Sequence, residues 1–142
     1  RLVQRNVHAL FASPFARTRE TANIIGVALG IPVMFDQRLE EVRGGIYNGG
    51  PIALFDAKYP EPESRLAPDL DDGVESFSSV RKRLTEFLRD VEKEYGGKTV
   101  VVVSHGDPLE QLHGILTEES PGASALGWHP ILGSCTEVPA VH

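Results

Sequence analysis

The residue with the most evident chemistry is His105, which follows Val100-Val101-Val102-Val103-Ser104 and precedes Gly106-Asp107-Pro108. β-Branched side chains suit a pleat, and nothing in the valine run alternates with polar residues. Residues 99–103 are therefore predicted to form a central strand buried on both faces. Asp107 followed by Pro108 is an N-cap and first-turn pair, so a helix is expected at once. His105 is thereby placed at a strand's carboxyl end, facing a helix start. In open α/β sheets ligands bind in that crevice, and free helix N–H groups there favour an anion. An imidazole in this position suggests phosphate, although a histidine that only caps the sheet would leave the same pattern.

The elements that must position it follow from the rest of the chain. Residues 1–5 read as the polar end of a preceding helix, and Val7 to Ala12 as a short strand in which His8 is an ordinary strand residue. Ser13-Pro14 predicts an N-cap and first turn for a helix ending at Leu29, closed by Gly30 and burying Ala22, Ile25, Ala28 and Leu29. Residues 31–35 predict a second strand, stopped by Asp36. From Gly44 to Asp72 proline, glycine and acids dominate around one helical patch, Ile52 to Tyr59, which reads as a lid or insertion. Val80, Leu84, Phe87, Leu88 and Val91 are spaced by three and four, predicting a long amphipathic helix that Gly96 ends. After the valine strand, a helix is expected from Pro108 to about Leu116, and a last strand around Cys135 to Val138. Strands alternating with helices predict an α/β fold, a three-layer α/β/α sandwich. Taken alone, Arg17 and Arg19 read as solvated helix charges and Glu41 as a loop acid beside Glu40.

Composition narrows the function. The 142 residues suit a single domain, 1–142, and 41% hydrophobic with 24% charged residues is ordinary for a globular chain. A net charge of −6 without a basic run argues against nucleic-acid binding. The single cysteine, Cys135, excludes an internal disulfide, and the five histidines lack the paired spacing of a metal site. No metal or other cofactor is expected. No apolar run approaches the roughly 20 residues of a membrane helix, and no signal peptide opens the chain, which reads as a cytoplasmic protein without a membrane partner. The chain starts at Arg1 and has its only methionine at Met34, so a segment upstream is expected.

Four stretches, in order, carry a family resemblance. Ser13-Pro14-Phe15-Ala16-Arg17-Thr18-Arg19-Glu20-Thr21-Ala22 resembles the "SPLxRxxxTA" segment of the histidine phosphatase superfamily, the phosphoglycerate mutase-like proteins. Arg38-Leu39-Glu40-Glu41, with Gly45 and Tyr47-Asn48-Gly49, is similar to its "RLxE…G…W-E-G" loop, with asparagine in place of the usual acid. Gly73-Val74-Glu75-Ser76 and Arg83 resemble its "GES…R" helix start, with Val74 inserted. Val102-Val103-Ser104-His105-Gly106 matches its second-histidine motif.

The resemblance implies a phosphoglycerate mutase-like fold and a phosphomonoester phosphatase acting through a phosphohistidine. It places Arg17 as a phosphate-clamping arginine, His105 as the second histidine, and Glu41 as the proton donor to the leaving oxygen, with Glu40 as the fallback. Arg43 and Ser104 are candidates to line the pocket, and Arg83 reads as a structural helix residue. An arginine fork suits tetrahedral phosphate, and stabilising a transferring phosphoryl group is most of such catalysis. To act as an acid, Glu41 would need a pKa lifted from about 4.3 towards neutrality. The expected ligand is a small phosphorylated substrate or inorganic phosphate.

The family's nucleophile lies in an "RHG" triplet that these 142 residues lack; Leu112-His113-Gly114 is helical and has no preceding arginine. The fold is thus expected to lack its first strand-helix unit, roughly 40 residues upstream, so that the 142 residues alone are expected to be inactive. The alternative is a non-catalytic phosphate- or partner-binding module. The stretch from Glu41 to Glu75 contains only Arg43 and Arg65, which disfavours a mutase. Neither the substrate nor the oligomeric state is legible.

Overall fold

The computed structural model describes residues 2–67, 70 and 72–139. The chain divides into two compact units, Arg1–Glu41 with Glu86–His105, and Val42–Thr85 with Gly106–His142.

The first unit is built on a three-stranded parallel sheet in the order β2-β1-β3, where β1 is Val7–Ala12, β2 Val33–Phe35 and β3 Thr99–Val103. Helix α1, Ala16–Leu29, makes the crossover from β1 to β2. Register pairs Leu10 with Val33 on one side and with Val101 on the other, and an irregularity between Val7 and Ala9 leaves His8 exposed. Successive strand residues face opposite sides of a sheet. On the Leu10 side lies α1, close enough that a Cβ on Gly26 would meet Val33 Cγ2 at 3.1 Å and Leu10 Cδ2 at 3.6 Å. On the Phe11 side the rings of Phe87 and Tyr95 stand edge-on, at 5.3 and 5.9 Å. Both belong to α3, Phe77–Tyr95, so helices cover both faces and the expected α/β/α layering is formed.

Two details of α1 differ from the sequence reading. The buried face is Thr18, Ala22 and Gly26, whereas Ala28 is exposed, because close approach to the sheet selects small side chains at every fourth position. Thr18 is tolerated there because its hydroxyl donates to the carbonyls of Ser13 and Phe15, both at 2.9 Å. The helix also starts at Ala16 rather than at Pro14, with Phe15 in the N-cap position and no side-chain cap. Gly30 closes it in the left-handed conformation, φ 67°, as expected of a residue without a Cβ.

The second unit contains α2, Ile52–Lys58, the first part of α3, α4, Gly106–Leu116, and α5, Pro121–Leu126. The acid- and proline-rich segment is tied down by an antiparallel bridge between Gly44 and Val74 and by the Tyr59 hydroxyl, 2.7 Å from both Asp72 carboxylate oxygens. Helix α5 was not expected, although Ser120-Pro121 carries the signal: the Ser120 hydroxyl accepts from the Ala123 N–H at 3.2 Å. No strand forms at Cys135–Val138; residues 135–137 are exposed, with Pro130 and Pro139 flanking a run too short to claim a sheet edge.

Glu75 is the most constrained charge of this unit. Its carboxylate, 1% exposed, accepts from Arg83 Nε at 2.8 Å and Nη2 at 3.1 Å, and from the Arg43 backbone N–H at 3.2 Å. Burial pushes its pKa up, but the Arg83 bonds and charge, with the Arg43 contacts, leave it below the usual value. A depressed folded value means that this stabilisation is present above about pH 4.5, the ordinary value, and is lost as pH falls through the folded one. Arg83→Met should therefore cost about 3–5 kcal/mol near neutrality, the usual effect of stranding a buried charge. Chemical denaturation across the acid range checks it: the gap between variant and wild type should narrow as pH drops.

Candidate active site

Strands β1 and β3 are neighbours, so the residues just past their carboxyl ends meet. Ser13 N–H donates to the Val103 carbonyl at 2.9 Å and extends the ladder by one bond, which brings the Ser13 hydroxyl to the His105 ring. His105 Nε2 and Ser13 Oγ lie 2.8 Å apart, and the imidazole is 2% exposed. From the first turn of α1, Arg17 Nη2 donates to His105 Nδ1 at 2.9 Å. A guanidinium only donates, so Nδ1 is the accepting nitrogen and the ring proton sits on Nε2, donating to Ser13. Phe15 sets its ring edge-on to the imidazole at 5.1 Å and stands 5.7 Å from the Arg17 Cζ.

Glu41 completes the cluster. Its Oε2 is 3.7 Å from Arg17 Nη2, an ion pair rather than a hydrogen bond, and 4.0 Å from the unprotonated Nδ1 of His105. The loop that carries it is fixed from two sides. Ser104 Oγ donates to the Leu39 carbonyl at 2.7 Å, and Leu39 is fully buried. Arg38 is gripped by Asp36 (Nη2 to Oδ2, 2.8 Å) and Asp90 (Nη1 to Oδ2, 2.7 Å). Burial raises the Asp36 pKa, but the Arg38 hydrogen bonds and charge more than reverse it, so this carboxyl stays ionised well into acid. Ser104 thus ties the loop that carries Glu41 to the end of β3.

Arg17, Glu41 and His105, separated by up to 88 residues in sequence, are brought together; a spread beyond about 10 Å, the range of one screened charge, would have dissolved the cluster. The side chain of Arg17 is 65% exposed and that of Glu41 34%, so both remain open to a ligand while His105 is held from beneath. Arg43 lies in the other unit, where it faces Glu75 at 3.7 Å. His113 stacks on Trp128 at 4.6 Å as a structural residue. Ser13 and Phe15 were not read as site residues. The signal was the β1–β3 pairing, which no local pattern reveals.

A guanidinium, a buried imidazole and a carboxylate thus meet at the carboxyl ends of parallel strands, drawn from three of the four sequence segments; Glu75, of the remaining one, lies in the other unit. The sequence pattern of the histidine phosphatase superfamily (branch 1) matches residues 1–136. The chain belongs to the histidine phosphatase superfamily. Within the superfamily it is 32% identical over 116 residues to phosphoserine phosphatase 1 of Hydrogenobacter thermophilus, covering 79% of this chain and 55% of that relative. It is 28% identical over 126 residues to the phosphatase PhoE of Bacillus subtilis, covering 89% of this chain and 60% of that protein. Among solved structures, a mycobacterial glucosyl-3-phosphoglycerate phosphatase complexed with VO3 superposes with a TM-score of 0.71 at 27% identity, over 90% of this chain and 66% of that one. The chain therefore spans little more than half the length of the curated histidine phosphatases it resembles here. Among the described residues, no helix is long and apolar enough to cross a membrane.

Proposed function

We propose that the protein is a phosphomonoester phosphatase acting through a phosphohistidine, with the nucleophilic histidine supplied from upstream of Arg1. The observation that carries this reading is the meeting of Arg17, His105 and Glu41 within 4.0 Å of one another. Phosphatase relatives and a structural neighbour with VO3 bound support it.

In the first step the nucleophile's ring nitrogen attacks phosphorus and the ester P–O bond breaks. Glu41, protonated, gives its proton to the departing oxygen. In the second, water attacks phosphorus, its proton returns to Glu41, and the N–P bond breaks to release phosphate. Arg17 and His105 hold the phosphoryl oxygens and stabilise the charge that gathers on them. To donate to a phosphoryl oxygen, His105 must carry a proton on Nδ1. Ser13 makes that exchange inexpensive, because a hydroxyl can donate to Nε2 as readily as accept from it.

The 142 residues alone should show no turnover of p-nitrophenyl phosphate, since no phosphoenzyme can form without the nucleophile. The protein with its upstream segment should turn it over, and His105→Ala should abolish most of that activity. Turnover by the 142 residues alone, lost on His105→Ala, would mean that the nucleophile has been misplaced. The lack of an Arg-His-Gly triplet in these residues also favours a second reading, a phosphate- or partner-binding module. Its signature would be phosphate binding by the full-length protein with no turnover.

A further inference from the structure

Phe15 occupies an uncommon place for an aromatic residue. It stands at the N-cap of α1, where a polar side chain would satisfy a free helix N–H, and it supplies no such bond. The residue is 37% exposed, yet it is not a scattered surface group. Its ring stands against two members of the Arg17, Glu41 and His105 cluster: the imidazole meets it at 63° with centroids 5.1 Å apart, and the Arg17 Cζ lies 5.7 Å from its centre. Arg17 Nη2 and His105 Nδ1 are 2.9 Å apart, so a phosphoryl group that engages both of them binds beside an aromatic wall. Two further arginines of this unit are engaged elsewhere. Arg19 donates to the Pro14 carbonyl at 3.3 Å and lies over the Phe35 ring at 4.4 Å, and Arg38 is held by Asp36 and Asp90.

We propose that Phe15 is a specificity-determining residue, and that the phosphomonoester held by Arg17 and His105 carries an aromatic ring close to its ester oxygen, which packs against the Phe15 ring. The inference rests on the phosphatase reading and narrows its substrate class. Covering the open part of Phe15 removes apolar surface from water, and the ring's negative face and positive edge favour a second ring, offset or edge-on. A carboxylate or other charged group in the same place would lose its water and find an aromatic surface where it needs a donor. The cost of leaving α1 uncapped at residue 15 is then offset by selection at the bound substrate.

The test is calorimetric titration of the full-length protein with benzylphosphonate, methylphosphonate and phosphonoacetate, in which carbon replaces the ester oxygen so that nothing can be hydrolysed. Benzylphosphonate should bind about tenfold more tightly than either of the others, the scale of one buried aromatic pair. Phe15→Ala should weaken benzylphosphonate by about tenfold while leaving methylphosphonate within about twofold, and Phe15→Tyr, which keeps the ring, should restore the difference. Equal affinities for benzylphosphonate and methylphosphonate in the wild-type protein would overturn the proposal without recourse to any variant. So would tighter binding of phosphonoacetate, or a folded Phe15→Ala protein that weakens both phosphonates alike, since the ring would then serve only to shield His105. Because turnover is not read, a full-length protein that prefers benzylphosphonate yet hydrolyses no phosphomonoester would strike the phosphatase reading alone and leave the ligand class standing.

Discussion

In the full-length protein, Glu41→Gln should slow the proposed phosphoenzyme formation by about 10² to 10⁴-fold with alkyl phosphates and far less with p-nitrophenyl phosphate. An alkoxide is strongly basic and needs a proton as it departs, whereas p-nitrophenolate leaves without help. Glutamine keeps the shape of the side chain but has no proton to transfer. The contrast between substrates isolates proton donation from simple loss of charge beside Arg17, 3.7 Å away. Rapid-quench measurement of the phosphoenzyme with both substrates reads it directly. Equal damage to both, or a harmless Glu41→Gln beside a harmful Glu40→Gln, would remove Glu41 from the role of acid.

Arg17→Ala should slow both substrates alike, by about 10² to 10³-fold in kcat, the usual effect of deleting one donor to a developing oxyanion. In the proposed mechanism the clamp acts on phosphoryl oxygens, which are the same whichever group departs. The substitution should also weaken inhibition by orthophosphate. Since Arg17 is largely exposed and its Nη2 donates to His105, its removal should leave the fold intact, and a melting temperature near wild type would show that the loss is local. A strong preference between the two substrates, or a loss below threefold, would count against the clamp.

The sequence was most informative where chemistry and periodicity coincide. Four valines before His105 announce a strand, although β3 forms one edge of the three-stranded sheet and is only half-buried rather than central and buried on both faces. Val80, Leu84 and Phe87, all fully buried, follow the helical period. Arg17 and Glu41 became legible only through the order of four motifs, since a helix arginine and a loop acid look like solvent-facing charges when taken singly. The local reading failed where long-range pairing overrode it. Ser13 carries every mark of a helix cap, yet the β1–β3 register hands its hydroxyl to His105 instead. Arg65 likewise reads as a charge in an insertion; nothing adjacent to it foretells that Phe77 will flank it or that Asp107 will hold it. An α1 face of Thr18, Ala22 and Gly26 was missed because hydrophobicity marks burial poorly where a helix must come close to a sheet.

The uncapped start of α1 places a conflict between durability and activity at residue 15. A serine, threonine, asparagine or aspartate there would satisfy a free N–H and add about 1 kcal/mol to the helix. Phe15 forgoes that gain and sets its ring against His105 instead. Screens for heat-resistant variants should accordingly recover Phe15→Asp, whose carboxylate also suits the helix dipole, and should recover it at the expense of anion binding. On the proposed function, residue 15 is thus a position where evolution towards endurance and evolution towards turnover should pull the same side chain in opposite directions.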